Sequence, residues 1–437
     1  MKKRILYSVL LVGLSLNVLV GAQIYLSSAQ AAEKNKLYDH MELFVGVMEK
    51  VRKEYVDADK ISYEDLIHAA LKGMINALDP HSEFMESEKY TLLKNDTEGA
   101  FGGIGIEIIR LRDNTLMVVA PIEDTPAFRA GVLRGDKIVK IDGKSTEKLS
   151  TPEAVRKLRG EPGSEVTLTV ARASSAELKD YTFKRAVIKV DTVKDIDGSR
   201  TFTLGEDKIG YLRLTQFGEH TTSELQEALK KLKAQGMEGL ILDLRGNPGG
   251  LLDQAVKVCE LFVPRGQLVV STEGRALQSK FEYIARGRDQ YADVKIVILV
   301  NVGSASASEI VAGCLQDLGR AFIMGEKTFG KGSVQSIVPL QDGSALRLTT
   351  AKYYTPSHKV IHGNGITPDS VVPMTDDDED LLFLKRVPGG IESLDPERRE
   401  KARQMTDVQL DRARDFLKGV LLFKERGQVP KKLAEKK

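Results

Sequence analysis

Between residues 36 and 57, apolar side chains recur every three or four positions: Leu37, Met41, Phe44, Met48, Val51 and Tyr55. The positions between them are mostly polar, and that period predicts an amphipathic helix. A second helix is expected from Ser62, whose spacing to Asp65 suits a capping box, through Leu66, Ala70, Met74 and Leu78 to Asp79-Pro80. Two helices of this size bury little by themselves, so they are expected to pack on another domain or another subunit. From about residue 99 the pattern shortens to strands and turns. Phe101–Ile108 opens this region, Thr115–Val119 is a strand, and Pro126 starts a short helix that Ala130-Gly131 ends. Gly135–Gly143 is a strand entering an Asp-Gly turn, Thr151–Arg159 a helix and Val166–Arg172 a closing strand.

Within that region three stretches resemble a PDZ domain: Gly103-Ile104-Gly105-Ile106, Ala130-Gly131-Val132, and Gly135-Asp136-x-Ile-x-x-Ile-Asp-Gly143. The resemblance implies a module that binds peptide C-termini by adding a strand to an open sheet edge, with the N–H groups of Gly103–Ile106 holding the carboxylate.

A new unit starts with the strand Lys208–Leu214. Helix Thr221–Gln235, buried strand Gly239–Leu244, helix Leu251–Phe262 and strand Gly266–Ser271 follow. The run Ile296–Val300 is apolar at every position and reads as a buried strand, with a packed helix from Ile310 to Leu315 after it. This alternation predicts a layered α/β core. Ala321–Gly325, Ser333–Val338 and Leu346–Tyr354 are further strands. Asp376–Asp380 reads as a solvated acidic linker, and Thr406–Phe423 as one more amphipathic helix, through Leu410, Ala413, Leu417 and Leu421. The division expected is 1–31 an export segment, 32–98 a helical region suited to dimerisation, 99–189 the PDZ domain, 190–375 the core, and 376–437 an acidic linker with a helical tail.

Composition narrows this picture little. The 437 residues allow one to three domains. A net charge of +2 and the absence of any nucleic-acid-binding signature leave no nucleic-acid partner to expect. Cys259 and Cys314 both fall in apolar helical patterns; buried free thiols and a single disulfide are both open. Lys2-Lys3-Arg4, a long apolar run to about Leu26, and Ala29-Gln30-Ala31 together form an export signal. A cleaved signal peptide and an uncleaved membrane anchor both fit, and either places the mature chain in a periplasm or on the extracytoplasmic face of a membrane.

Candidate chemistry starts at Asn301-Val-Gly-Ser-Ala-Ser-Ala-Ser-Glu309, where three serines occupy a strand-to-helix turn. Such a turn can lift a nucleophile above a sheet beside the free N–H groups of a helix N-terminus. Ser306 with Glu309 equally fits a capping box. No histidine stands in an evident triad setting. His358 and His362 have a spacing that could hold a metal on a helix, but Pro356 and Gly363–Gly365 bracket them and favour a hairpin, so no metal and no cofactor is expected. A lysine can replace histidine as base if burial lowers its pKa. Lys331, between Gly330 and Gly332, is the candidate, and Gln335 would share its face if the segment is extended. Asn247-Pro-Gly-Gly250, at the end of a central strand, can turn its amides toward the same crevice.

Together, Arg245–Gly250, Ser304–Glu309 and Gly330–Gln335, with the PDZ-like stretch ahead, resemble the carboxyl-terminal processing (tail-specific) protease family. Leu78-Asp-Pro-His-Ser82 and Gly363-x-Gly-Ile-x-Pro-Asp369 extend the resemblance, which covers roughly residues 36–375. It implies a crotonase/Clp-protease-like layered α/β core with a PDZ domain and helical N- and C-terminal segments. It makes Ser306 the nucleophile, Lys331 the general base, Gln335 its support, and Gly250 and Ala307 the oxyanion donors. The implied partners are protein C-termini as substrates, further copies of the chain in a dimer or larger assembly, and a regulatory peptide or adaptor. Two rival readings are a catalytically silent PDZ scaffold and a crotonase-type lyase or hydratase. The intact Ser306, Lys331 and Gln335 argue against the first, the export signal and PDZ domain against the second.

Overall fold

A computed structural model describes residue 23 and residues 38–427, apart from 58–60, 98–99, 112–113, 123–124, 134, 173–177, 190, 276–279, 288, 387–390 and 392–393. The export segment at 1–31 lies outside the described residues but for residue 23. None of the described helices is long and apolar enough to cross a membrane. The chain divides into two compact units, Met1–Phe84 and Met85–Lys437.

The first unit holds helix α1 (38–54) and helix α2 (Tyr63–Asn76). Ser62 caps α2 as its spacing predicts: its Oγ accepts the Asp65 N–H at 3.0 Å, and the Asp65 carboxylate accepts the Ser62 N–H at 3.3 Å. Both helices keep apolar side chains exposed, among them Tyr38, Leu43, Val47, Ile67 and Met74. In the turn after α2, Asp79 accepts the His81 and Ser82 N–H groups.

The second unit begins with the PDZ module. Its sheet runs in the order β1 (Ile106–Arg110), β2 (Leu116–Pro121), β3 (Lys137–Ile141), β4 (Glu165–Ala171), β5 (Leu178–Lys184), all antiparallel. Helix α3 (Thr151–Leu158) closes a core of Ile104, Val118, Ile138, Leu168 and Phe183. Ala100–Gly103 pairs with Ala186–Lys189, joining the entry and exit of the module. Strand β5 was not expected. Only Tyr181 and Phe183 of its seven residues are buried, and on an edge strand the interleaved polar residues hide the alternation.

The core is built on strands β6 (Val193–Lys194), β7 (Ile209–Leu214), β8 (Gly239–Asp243), β10 (Lys295–Val300), β11 (Ala321–Gly325) and β14 (Ser370–Val371), in that order, all parallel except β6. A smaller antiparallel sheet contains β9 (Leu268–Gly274), β12 (Ser333–Pro339) and β13 (Ala345–Tyr354). Helices α4 (Thr221–Ala234), α5 (Leu252–Glu260) and α6 (Ala307–Asp317) cover one face of the parallel sheet. Cys259 and Cys314 are buried there as free thiols.

The other face explains why β10 is apolar at every position from Ile296 to Val300. Ile296, Ile298 and Val300 face α4–α6, while Val297 and Leu299 face a second cluster with Ile241 and Tyr211. The cover on that side is the C-terminal helix α9 (Val408–Gly427), through Leu410, Ala413, Leu417 and Leu421. Each of those leucines contributes about 1.5–3 kcal/mol when buried. The tail helix is therefore part of the core, and its expected apolar face is spent inside the unit. The acidic linker is also corrected. Residues Asp376–Arg386 form helix α7, followed by α8 (Pro396–Gln404). Its acids sit in the first turn, where the helix dipole favours negative charge, and Asp377 pairs with Arg398 and Lys401, while Leu381 and Leu382 are buried.

Candidate active site

Parallel strands present their C-terminal ends on one side of a sheet, and loops leaving those ends share a crevice. Strands β8, β10 and β11 are consecutive neighbours. Arg245–Gly250, Asn301–Ser306 and the segment leading to Lys331 therefore emerge side by side.

Asn247 ties the first two together. Its carbonyl accepts the Ala305 N–H at 3.0 Å and the Ser308 hydroxyl at 2.9 Å. Its side chain braces its own turn, Nδ2 donating to Leu214 O and Oδ1 accepting the Gly249 N–H, each at 2.9 Å. A Cβ on Gly249 would stand 2.8 Å from the Ser306 Cβ and 2.9 Å from the Ala307 nitrogen, so the two turns approach this closely only because position 249 is glycine.

The three serines have different surroundings. Ser304 is buried, donates to Leu244 O at 2.8 Å and accepts the Asn301 N–H at 3.0 Å. Ser308 is buried and committed to Asn247. Ser306 is partly exposed and holds φ +56° and ψ −112°, a conformation a non-glycine residue adopts only at a cost of about 1–3 kcal/mol. An ordinary N-cap is extended, so the backbone here is not shaped for capping alone.

Glu309, three residues on, holds the site together. Its Oε2 accepts both the Ser306 N–H at 2.8 Å and the Lys331 N–H at 2.9 Å. Its Oε1 accepts the Thr328 hydroxyl at 2.5 Å and the Gly330 N–H at 2.8 Å. Because one oxygen binds both backbones, Ser306 N and Lys331 N lie no farther apart than those two lengths together. Burial pushes the Glu309 carboxyl above the usual range, against the pull of its hydrogen bonds. All four partners donate, so the arrangement suits the ionised form.

Lys331 is half-buried. Burial lowers its pKa first and the Arg347 charge lowers it further, with Glu309 opposing. Beside it, a Cβ on Gly332 would stand 2.1 Å from the His362 backbone nitrogen, so the two backbones approach this closely only because position 332 is glycine. Gln335 differs from expectation. Lys331 precedes β12, and the strand has a bulge between Val334 and Gln335. The bulge breaks the alternation from which a shared face was inferred. The Gln335 Nε2 donates to the Ser333 and Thr349 hydroxyls at 2.9 and 3.2 Å.

Gly250 closes the glycine turn and Ala307 follows Ser306, so each belongs to one of the two turns that meet at Gly249. Gly249 N–H goes to Asn247 and Leu251 N–H to Phe217 O, while Ala307 opens α6, where N–H groups lack intrahelical partners. Arg245, at the start of the glycine turn, is buried between Asp243 and Asp407, with Gln409 on Nη1 at 3.0 Å.

In the PDZ module, β1 is an edge strand. The carbonyls of Ile104 and Gly105 are tied inward, to the N–H groups of Ala127 and Ile122. A trans peptide points its N–H opposite to its C=O, so the N–H groups of Gly105 and Ile106 point away from those partners. Gly103 lies in the ribbon that leads into this loop, and Ile104 is buried in the module's core. His358 and His362 lie at a turn, with His358 edge-on to Tyr354. No group of three metal-ligating side chains occurs among the described residues.

Residues 208–372 match peptidase family S41, and residues 117–172 match a PDZ domain. The chain is 45% identical over 377 residues to a carboxy-terminal-processing protease of Bartonella bacilliformis, covering 85% of this chain and 83% of the relative. The chain belongs to the carboxy-terminal-processing protease family. A carboxyl-terminal-processing protease of Synechocystis is 36% identical, with 82% of this chain and 86% of the relative covered. A solved photosystem II D1 C-terminal processing protease is 31% identical, with a TM-score of 0.44 and 76% and 92% coverage. The chain is thus a serine-type peptidase of family S41 carrying a PDZ domain.

Several groups in this peptidase's site escaped the sequence reading. Glu309 was legible only as a cap, although a glutamate leading directly into the run Ile310–Leu315, which carries no charged residue, signals an inward role. Asn301 and Asp407 carry no such local sign, because Gly246 and Glu379, and Arg245, are distant from them in the chain.

Proposed function

We propose that this peptidase cleaves protein chains near their C-termini by a Ser306–Lys331 mechanism, with the PDZ edge strand reading the chain end. Neutral Lys331 Nζ takes the Ser306 proton as Oγ attacks the peptide carbonyl carbon. The carbonyl oxygen becomes an oxyanion held by the Gly250 and Ala307 N–H groups, each donor worth about 3 kcal/mol in comparable hydrolases. The lysine then gives its proton to the leaving amine, and in deacylation it activates water in the same way. What supports the reading is the shared Glu309 oxygen, which couples the strained serine turn to a lysine whose pKa burial lowers.

The loop at 103–106 suits a terminal carboxylate, because its outward N–H groups can hold one beside an open edge. A protein substrate with an amidated C-terminus is expected to be cut several-fold more slowly than its free-acid twin, having lost charge-assisted hydrogen bonds. Gly105→Val should do the same to the free acid, since a Cβ there would stand 2.2 Å from the Thr125 Cβ. Equal rates for both substrates would remove this role for the PDZ domain.

The exposed apolar residues of α1 and α2 fit self-association of the first unit. Light scattering is expected to give a mass of two or more chains, and a single-chain mass would refute it. The N-terminal signal supports export, which N-terminal sequencing of protein recovered outside the cytoplasm would test.

A further inference from the structure

Asn301 opens the serine turn, yet its side chain works between turns. Its Oδ1 accepts the Gly246 N–H at 2.8 Å, from the glycine turn, and the Gly303 N–H at 3.1 Å, from its own. One carbonyl oxygen thus sets the spacing between the segment ending at Gly250 and the segment ending at Ala307. An asparagine amide can present either its oxygen or its nitrogen to such donors, and only the oxygen serves here. What orients it is on the other side, where Nδ2 donates to Glu379 Oε1 at 2.9 Å. Glu379 belongs to the acidic first turn of α7, beyond the residues that match the peptidase family.

We propose that Glu379 is a positioning residue for the oxyanion donors, acting through Asn301. The proposal rests on the reading that Gly250 and Ala307 supply those donors. Its chemistry is orientation alone: an acceptor at Glu379 keeps the Asn301 oxygen facing Gly246 and Gly303, and so keeps the two turns at the separation a tetrahedral intermediate needs. A cavity of about 190 Å³ lined by Arg213, Gly246, Asn301 and Glu379 lies alongside. Water can therefore reach the Asn301 amide when the glutamate is truncated, and the fold survives while the orientation is lost. The neighbouring Glu326 is raised by burial and then by the charges of Glu379 and Asp376, so the carboxylates crowd this one corner of the site.

The test compares wild type, Glu379→Ala, Glu379→Gln and the surface control Asp377→Asn, with a peptide substrate and a peptide boronate that forms a tetrahedral adduct on the nucleophile. Glu379→Ala should lower kcat by roughly tenfold with KM within about twofold, and weaken boronate binding by a similar factor. Glu379→Gln, which keeps an oxygen acceptor, should restore both, and Asp377→Asn should change neither. Wild-type kcat in Glu379→Ala overturns the proposal. So does a fall in kcat without weaker boronate binding, or a Gln variant as impaired as the Ala variant. Boronate binding by Ser306→Ala at wild-type strength would instead overturn the nucleophile assignment and the proposal with it.

Discussion

Ser306→Ala and Lys331→Ala should each lower peptide cleavage by about 10⁴-fold or more while leaving circular dichroism unchanged. Removing either member of a nucleophile–base pair disables the pair, and residual activity reflects binding and the oxyanion donors alone. Lys331→Arg should be as inactive, because a guanidinium stays protonated at every working pH. The wild-type pH profile carries the same argument. Burial and the Arg347 charge lower the Lys331 pKa, and only the neutral amine can accept the serine proton. Activity is therefore low while pH is below that depressed pKa, rises about tenfold per unit as the neutral fraction grows, and levels off above it. A profile flat from acid to alkaline pH, with chemistry rate-limiting, would contradict a lysine base. Ser306→Gly separates strain from chemistry: it should be inactive yet about 1 kcal/mol more stable, because glycine adopts φ +56° at little cost.

Arg245→Ala should be the most destabilising single change, lowering the unfolding free energy by about 3–5 kcal/mol. The guanidinium donates to Asp243 at 3.0 and 2.6 Å and to Asp407 at 2.9 and 2.8 Å. Its side chain is 6% exposed, that of Asp243 0% and that of Asp407 10%. Truncation leaves two carboxylates out of water with no cation between them. Tyr211 still donates to Asp243 at 2.7 Å, which cannot replace a charge. Arg245→Lys should recover only part of the loss, since an ammonium cannot serve both carboxylates as a planar fork does. Because the chain has no tryptophan, urea unfolding followed by circular dichroism is the readout, and an unchanged midpoint would contradict the account.

Much of this was legible in the chain because it is local. A period of two or of 3.6 gave the strands and helices, glycine and proline marked the turns, and the three motifs lie at strand ends in the order the core uses them. The turns that carry Ser306 and Lys331 were readable for that reason. What the sequence concealed depends on distance. Asp407 reaches Arg245, and Glu379 reaches Asn301, across 162 and 78 residues, and neither acid differs locally from a solvated surface charge. The cover over the second face of the sheet was implicit in the uninterrupted apolar run of β10, but nothing in that run says that α9 supplies it. Gln335 was placed by a parity argument, to which the bulge between Val334 and Gln335 is invisible.

The claim on which the rest depends is that Ser306 is the nucleophile. It is tested by inactivating the enzyme with a peptidyl phosphonate, digesting it and locating the adduct by mass spectrometry. One adduct is expected, on Ser306, formed in step with loss of activity, absent from Ser306→Ala and slow to form in Lys331→Ala. An adduct on Ser304 or Ser308, or cleavage that persists once Ser306 is fully modified, would contradict it.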